Sequence, residues 1–266
     1  MLSFWQSLIL GLVQGLTEFL PVSSSGHLVL VEKLMHVQTE ELFFFNIMLH
    51  VGTLAAVFIY YWSDIVALLK KPFQKMTLML IIATIPAVVV TVLFGDKVEA
   101  AFSGKYLGFC FLVTAIILFA SEYFAYNRYP RPLAKMNWLD AVVIGVAQAF
   151  AIFPGISRSG STIAAALTQG IDRKEAGKFS MLMSSIAIVG SVVLEAPKVI
   201  SSGLVGVSVG GLVGGMLAAA ISGYFAIGLL MFVLKKGGLR WFSFYMLAIA
   251  LVTLGSQFIW GGALAM

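Results

Sequence analysis

Two short stretches of this 266-residue chain carry side chains that could act together on a phosphorylated ligand. The first places Gln14 and Glu18 one helical turn apart, then Ser23, Ser24, Ser25 and Gly26 in a row, then His27. The second runs Ser157, Arg158, Ser159, Gly160, with Ser161 and Thr162 behind it. An i, i+4 spacing puts Gln14 and Glu18 on one helix face. Their oxygens suit a hard cation, Mg²⁺ or Ca²⁺, which would also touch phosphate oxygens. A Ser/Gly-rich loop that opens a helix offers free backbone N–H groups to an anion, and Arg158 adds a planar, permanently charged fork. His27 can move protons near neutral pH, and a serine close to His27 or Glu18 could attack phosphorus. An anion receiver, a cation, a proton carrier and a nucleophile together predict phosphoryl transfer.

The elements that must position these groups are membrane elements. Hydrophobic residues make up 60% of the chain and charged residues 11%, with a mean hydropathy of +1.00. A water-facing surface needs roughly 25% charged residues, so the expected fold is an all-α polytopic membrane protein. The net charge of +5 is spread in short clusters, without the dense basic face that nucleic acid requires. Apolar runs near 43–62, 76–95, 105–124, 179–197, 208–234 and 241–260 are long enough to span a bilayer. Residues 2–35 and 138–171 differ: each is interrupted near its middle, by Pro21 to Gly26 and by Pro154 to Gly160. Their arms are too short to cross, which predicts re-entrant helical hairpins whose polar tips sit among protein or in a wet cavity.

The interrupted stretches are copies. At a constant offset of 134 residues, Gly11, Gln14, Phe19, Ser23, Ser25 and Gly26 match Gly145, Gln148, Phe153, Ser157, Ser159 and Gly160. That is six identities in sixteen positions, where chance gives about one. Each copy, 1–127 and 135–266 within a single membrane domain, holds one hairpin and three spans. Three is odd, so the second copy is expected upside down, with the two tips meeting near the midplane. The copies diverge at the tips: Glu18 aligns with Ile152, His27 with Ser161, and Ser24 with Arg158. Neither copy is complete, which predicts one composite site. Twelve of the seventeen basic residues fall in four clusters, around Lys70–Lys75, Arg128–Lys135, Arg173–Lys178 and Lys235–Arg240. The positive-inside rule places these in the cytoplasm and both termini outside. The first hairpin then enters from outside and the second from inside, so an outward-facing site is expected.

Gln14-Gly-Leu-Thr-Glu18-Phe-Leu-Pro-Val-Ser-Ser-Ser-Gly-His27 and Pro154-Gly-Ile-Ser-Arg-Ser-Gly160 resemble the two signatures of the BacA family, the undecaprenyl-diphosphate phosphatases. The resemblance covers essentially the whole chain. It implies hydrolysis of undecaprenyl diphosphate to the monophosphate carrier of peptidoglycan synthesis, bacitracin resistance, a bacterial plasma-membrane location with the site toward the outer side, and a homodimer. By motif, the functional residues are Gln14, Glu18, Ser24, His27, Ser157 and Arg158. Where the family often has Glu, this chain has Gln14, so the weight of cation binding shifts to Glu18. The working roles are Ser24 as nucleophile, with His27 the lesser option, and His27 or Glu18 as proton acceptor. Arg158, Ser157, Ser159, Ser23, Ser25, Gly26 and Gly160 hold the phosphates, and Glu18 with Gln14 holds the cation.

Plainer readings stand beside these. Ser23 and Ser25 read first as helix caps, and Glu18 with Arg158 could be an ion pair that locks the tips. Asn46 and His50 lie inside the first full span and could face the cavity, with helix–helix hydrogen bonding the better reading; Asp140 reads as a helix-start charge, His36 as a solvated loop residue and Cys110 as a small buried group. The run from Gly203 to Gly215 reads as close helix packing. The rival to the enzyme is a transporter or lipid-phosphate flippase built on the same repeat.

Overall fold

Inside a bilayer every backbone polar group must be satisfied within the chain, and the apolar runs do so as helices. The computed structural model describes residues 2–37, 42–102, 104–126, 128–202 and 206–259. In chain order the helices are α1 (Phe4–Phe19), α2 (Ser24–Leu34), α3 (Phe43–Tyr60), α4 (Trp62–Lys70), α5 (Lys75–Ala101), α6 (Leu107–Tyr126), α7 (Trp138–Phe150), α8 (Arg158–Thr168), α9 (Arg173–Ser202), α10 (Val209–Lys236) and α11 (Leu239–Ile259). Six contain stretches long and apolar enough to cross a membrane: Phe43–Tyr60, Lys75–Gly95, Leu107–Tyr126, Arg173–Leu194, Val209–Lys236 and Leu239–Ser256. These are the six predicted spans. Large apolar side chains such as Ile59, Val92, Ile116, Phe225 and Leu251 cover the outside, a surface that only lipid tolerates. The molecule is a multi-pass membrane protein.

Two boundaries were not foreseen. α9 starts at Arg173 instead of 179, because Asp172 Oδ1 accepts from the backbone N–H groups of Lys174 and Glu175 at 3.0 and 3.2 Å and so caps the helix earlier. α4, with Asp64 in its first turn and Lys70 in its last, is a separate short helix that buries no residue. Gly203, from the glycine run, and residue 260, from the last apolar run, lie outside the described residues.

The short helices come in two pairs, α1 with α2 and α7 with α8. Matching capping boxes start the first member of each: Ser3 with Gln6, and Asn137 with Asp140. Matching serines start the second: Ser23 accepts from Gly26 N and Ser157 from Gly160 N. α1 lies along α10 and α7 along α5. In each case the copied glycine makes the approach, Gly11 onto the backbone of Gly215 and Gly145 onto that of Ala83. Any larger side chain at either place would strike backbone. Phe19 and Phe179, fully buried with Ala56, Val57, Ile163 and Leu230, form the central core between the pairs.

All four basic clusters share one end of the bundle. Lys75 donates to the Ala134 carbonyl (2.8 Å), and Lys178 pairs with Asp64. Leu133 N donates to Glu175, and Arg173 forks onto Glu122 at 2.9 and 2.7 Å. Glu122 also accepts from Leu239 N (3.0 Å), at the turn between α10 and α11. Asp140 is the helix-start charge that its position implied, and it also pairs with Arg131 at 2.5 Å.

Candidate active site

The two interrupted tips touch. Ser23 Oγ accepts from Gly155 N at 3.0 Å, and Ser159 Oγ donates to the Leu20 carbonyl at 3.0 Å, so each tip holds the other's backbone. Thr114, from α6, clamps the second tip. Its Oγ1 donates to Gly155 O at 2.8 Å and accepts from Ser157 N at 3.0 Å. Two backbone conformations allow this approach. Gly155 has φ +95°, and a Cβ on Gly26 would lie 2.9 Å from the Gly155 backbone, so both positions need glycine. Ser23 sits at φ 68°, a conformation an L side chain rarely adopts. Its Oγ offsets that strain by accepting from both Gly26 and Gly155.

Glu18 stands at the centre of this contact. Its Oε2 accepts from Ser24 Oγ at 2.5 Å and from Gln14 Nε2 at 3.0 Å. Its Oε1 is paired with Arg158 Nη2, and Arg158 Nη1 donates to the Ser184 carbonyl of α9 at 3.2 Å. Helix geometry supplies the first bond, since Gln14 and Glu18 share a face. The α1–α2 turn supplies the second, by folding Ser24 back over the end of α1. The third comes from the other pair of helices. Glu18, Gln14 and Ser23 are buried, whereas Ser24, Ser25 and Arg158 remain partly open.

His27 is at the same tip but turned elsewhere. Its Nδ1 lies 2.8 Å from the Ser23 carbonyl and its Nε2 2.7 Å from the Tyr245 hydroxyl of α11. The ring stacks on Tyr245 and tilts against Phe111. The carbonyl can only accept, so Nδ1 carries the hydrogen and Nε2 receives the Tyr245 hydroxyl. Both nitrogens are thus engaged away from Ser24, and Glu18 is the ionisable group in contact with the serine. Ser157 caps α8, with its Oγ accepting from Gly160 N at 3.1 Å and 3.3 Å from Ser159 Oγ. Ser25 is half-exposed, and its hydroxyl forms no hydrogen bond among the described residues.

Sequence reasoning missed three participants. Tyr245 and Thr114 sit in apolar spans with no motif around them. Glu32, on α2, is fully buried and accepts from Asn46 Nδ2 at 2.8 Å; an acid on the polar face of a short membrane helix was its only signal. Asn46 thereby makes the interhelical bond expected of it. His50 does not. Its Nδ1 stays on its own helix, 2.8 Å from the Asn46 carbonyl, and its Nε2 lies 3.7 Å from Glu18 Oε2.

For a cation, the relevant observation is Gln14 Oε1, a buried oxygen without a hydrogen-bond partner among the described residues. Beside it are the Glu18 carboxylate and the Ser24 hydroxyl, an all-oxygen set that fits a hard cation. Among the described residues there is no cluster of three or more His, Cys, Asp or Glu, so a soft, nitrogen- or sulfur-bound metal does not fit.

Residues 7–252 match the model of the family described as bacitracin resistance protein BacA. An undecaprenyl-diphosphatase of Carboxydothermus hydrogenoformans is 43% identical over 256 residues, covering 95% of this chain and 97% of that protein. Undecaprenyl-diphosphatase 4 of Bacillus thuringiensis subsp. konkukian is 42% identical over 258 residues, covering 97% and 98%. The undecaprenyl-diphosphatase of Halothermothrix orenii is 40% identical over 247 residues, covering 92% and 94%.

Proposed function

The chain belongs to the bacitracin resistance protein BacA family, and from that premise we propose that it is an integral membrane phosphatase hydrolysing undecaprenyl diphosphate to undecaprenyl phosphate and phosphate. In the cell this recycles the lipid carrier of peptidoglycan synthesis and depletes the target of bacitracin. One observation carries the reading: a single buried carboxylate, Glu18, accepts from the Ser24 hydroxyl on one oxygen and pairs with Arg158 on the other. That is a nucleophile joined to its base, with a phosphate-binding cation alongside.

The terminal phosphoryl group of the substrate displaces the guanidinium from Glu18 and takes its fork. Backbone N–H groups at the starts of α2 and α8 receive the remaining oxygens, and the capping bonds of Ser23, Gly26, Ser157, Ser159 and Gly160 hold those helix starts in place. Ser24 Oγ attacks the terminal phosphorus as its proton passes to Glu18 Oε2. The bridging P–O bond breaks, and its electron pair leaves with undecaprenyl phosphate. Water then attacks the phosphoserine, its proton passing to the tip's acid–base groups. The P–Oγ bond breaks, Ser24 regains a proton and phosphate departs. His27, whose Nε2 is linked to the half-exposed Tyr245, serves this second proton transfer. Mg²⁺ or Ca²⁺ would be held by Glu18 and Gln14 Oε1, where it supplies positive charge to the phosphate oxygens.

The two helix pairs act as re-entrant hairpins in an inverted repeat. Support comes from the crossed packing, in which α1 of the first copy lies on α10 of the second and α7 of the second on α5 of the first. The shared end of the four basic clusters faces the cytoplasm under the positive-inside rule. The site then opens toward the outer side of a bacterial inner membrane, and the isoprenoid tail runs among the lipid-facing helices. Assembly as a homodimer belongs to the same reading.

The test is phosphate release by purified protein given undecaprenyl diphosphate, with and without EDTA. Release is expected, with loss on chelation. Ser24→Ala should lower turnover by at least about 10³-fold. Wild-type turnover in that variant removes Ser24 as nucleophile, and no release under any cation removes the phosphatase.

A further inference from the structure

The turn between α10 and α11 forms a basic groove that shares no residue with the tips. Phe232, Val233, Lys236, Gly238, Arg240 and Trp241 are among the residues lining its cavity of about 490 Å³. α10 stops at Gly237, whose φ of +71° lies in the left-handed region. Gly238 follows without a side chain, and a Cβ there would lie 3.2 Å from Val233 and 3.5 Å from Trp241. The glycine thus keeps the floor of the groove open. Lys236 Nζ lies over the Phe232 ring, 4.4 Å from its centroid.

We propose that this groove binds the phosphate headgroup of an anionic phospholipid, with Lys236 and Arg240 on the phosphate and Phe232 and Trp241 against the acyl chains. The groove lies where the span Val209–Lys236 ends and the span Leu239–Ser256 begins, which is the depth of the headgroups in a bilayer around them. Phe232 and Trp241 are 54% and 71% exposed, so the apolar wall faces lipid, and a tryptophan suits that boundary. The cations here are not engaged within the chain. At the same end of the bundle Arg131, Arg173 and Lys178 pair with Asp140, Glu122 and Asp64. Lys235, Lys236 and Arg240 have no acidic partner among the described residues, and α10 and α11 contain no Asp or Glu.

One acid from a neighbouring helix does reach this turn. Glu122 of α6 accepts from Leu239 N at 3.0 Å. Both of its oxygens are also held by Arg173, at 2.9 and 2.7 Å, so its charge is already balanced. An anionic headgroup supplies what Lys236 and Arg240 lack, and each basic residue near a membrane surface adds to the attraction for such lipids. A free phosphate ion would meet the two cations but none of the apolar wall; a phospholipid meets both. The groove stands whether or not the chain is a phosphatase.

The experiment counts lipids bound to the detergent-solubilised protein by native mass spectrometry, with dioleoyl phosphatidylglycerol and dioleoyl phosphatidylcholine in competition. Wild type should bind its first phosphatidylglycerol about ten- to thirtyfold more tightly than phosphatidylcholine. Lys236→Gln with Arg240→Gln should cut that preference to about twofold or less. Lys70→Gln with Lys71→Gln removes as much charge from the same end of the bundle but none from the groove, and it should keep the wild-type preference. Millimolar inorganic phosphate should leave the bound lipid in place. Equal loss in the two double variants would reduce the effect to net charge and overturn the site. So would a wild type without preference, and so would displacement of the lipid by inorganic phosphate, which would make the groove a site for the free ion.

Discussion

The two interrupted helix pairs share a backbone and differ in chemistry. Both begin with a capping box, break after one short helix, and restart on a serine that caps the next. Both press a glycine into a helix of the other half of the chain, Gly11 onto Gly215 and Gly145 onto Ala83. At the tips the likeness ends. Where the first has Glu18, Ser24 and His27, the second has Ile152, Arg158 and Ser161. Scaffold positions were retained because a clash with backbone tolerates no substitute. Positions facing the junction differ between the two stretches, so the groups gathered there come from both. The ion pair from Glu18 to Arg158 joins the two specialisations. It is the feature that the buried Glu18 carboxylate needs, because a charge alone in this interior is costly.

Breaking that junction should produce the largest effect. Glu18→Gln keeps the size and removes the base for Ser24. Turnover should fall by about 10²- to 10⁴-fold. The change also strands Arg158, so unfolding in detergent should be followed in parallel. The double variant Glu18→Gln with Arg158→Gln should recover stability without recovering activity. If activity returned with stability, the pair would be a lock and nothing more.

Much of this was legible beforehand, for identifiable reasons. The six long helices follow from hydropathy alone, because lipid leaves an apolar run no other structure. The meeting of Glu18 with Arg158 followed from the repeat, since two incomplete copies invite one shared site. What stayed hidden was the third dimension. Tyr245 and His50 lie in apolar helices where a single polar residue reads as packing, and only the arrangement of α11 and α3 around the tips turns them inward. His27 illustrates the converse. Sequence proximity suggested a partnership with Ser24, yet the geometry of α2 directs its ring to the Ser23 carbonyl and Tyr245.

Arg158→Lys tests the second pair's contribution. The change keeps the charge and loses the fork that bonds Glu18 and the Ser184 carbonyl together. A loss of roughly ten- to a hundredfold in kcat/KM is expected, and equal activity would mean that only the charge is used. Smaller again is Tyr245→Phe, which removes one hydrogen bond from His27 Nε2 but leaves the stacked ring. Tyr245 acts through His27 as a positioning residue. The variant should lose about two- to tenfold in kcat with KM nearly unchanged, and its pH–kcat profile should shift because the Nε2 partner is gone. A Tyr245→Phe profile that overlays wild type would separate the tyrosine from proton transfer.

The smallest effect, and the sharpest contrast between the copies, lies at the duplicated glutamine. Gln14 donates to Glu18 at 3.0 Å, and its buried Oε1, the oxygen proposed to hold the cation, has no partner among the described residues. Its counterpart Gln148 is 2% exposed, and neither its Oε1 nor its Nε2 has a partner among the described residues. An unsatisfied buried amide costs about 1–3 kcal/mol, and an apolar group of similar shape removes that cost. Gln148→Leu should therefore leave turnover within about twofold of wild type and raise the midpoint of thermal unfolding by a few degrees. Gln14→Leu should do the reverse, keeping the fold while lowering activity and the response to added Mg²⁺. Measuring both variants in one detergent, by phosphate release and by intrinsic tryptophan fluorescence, sets the copies directly against each other. If Gln148→Leu lost activity as Gln14→Leu does, the second copy would hold a working half of the site that its sequence no longer advertises, and the division of labour between the two tips would have to be redrawn.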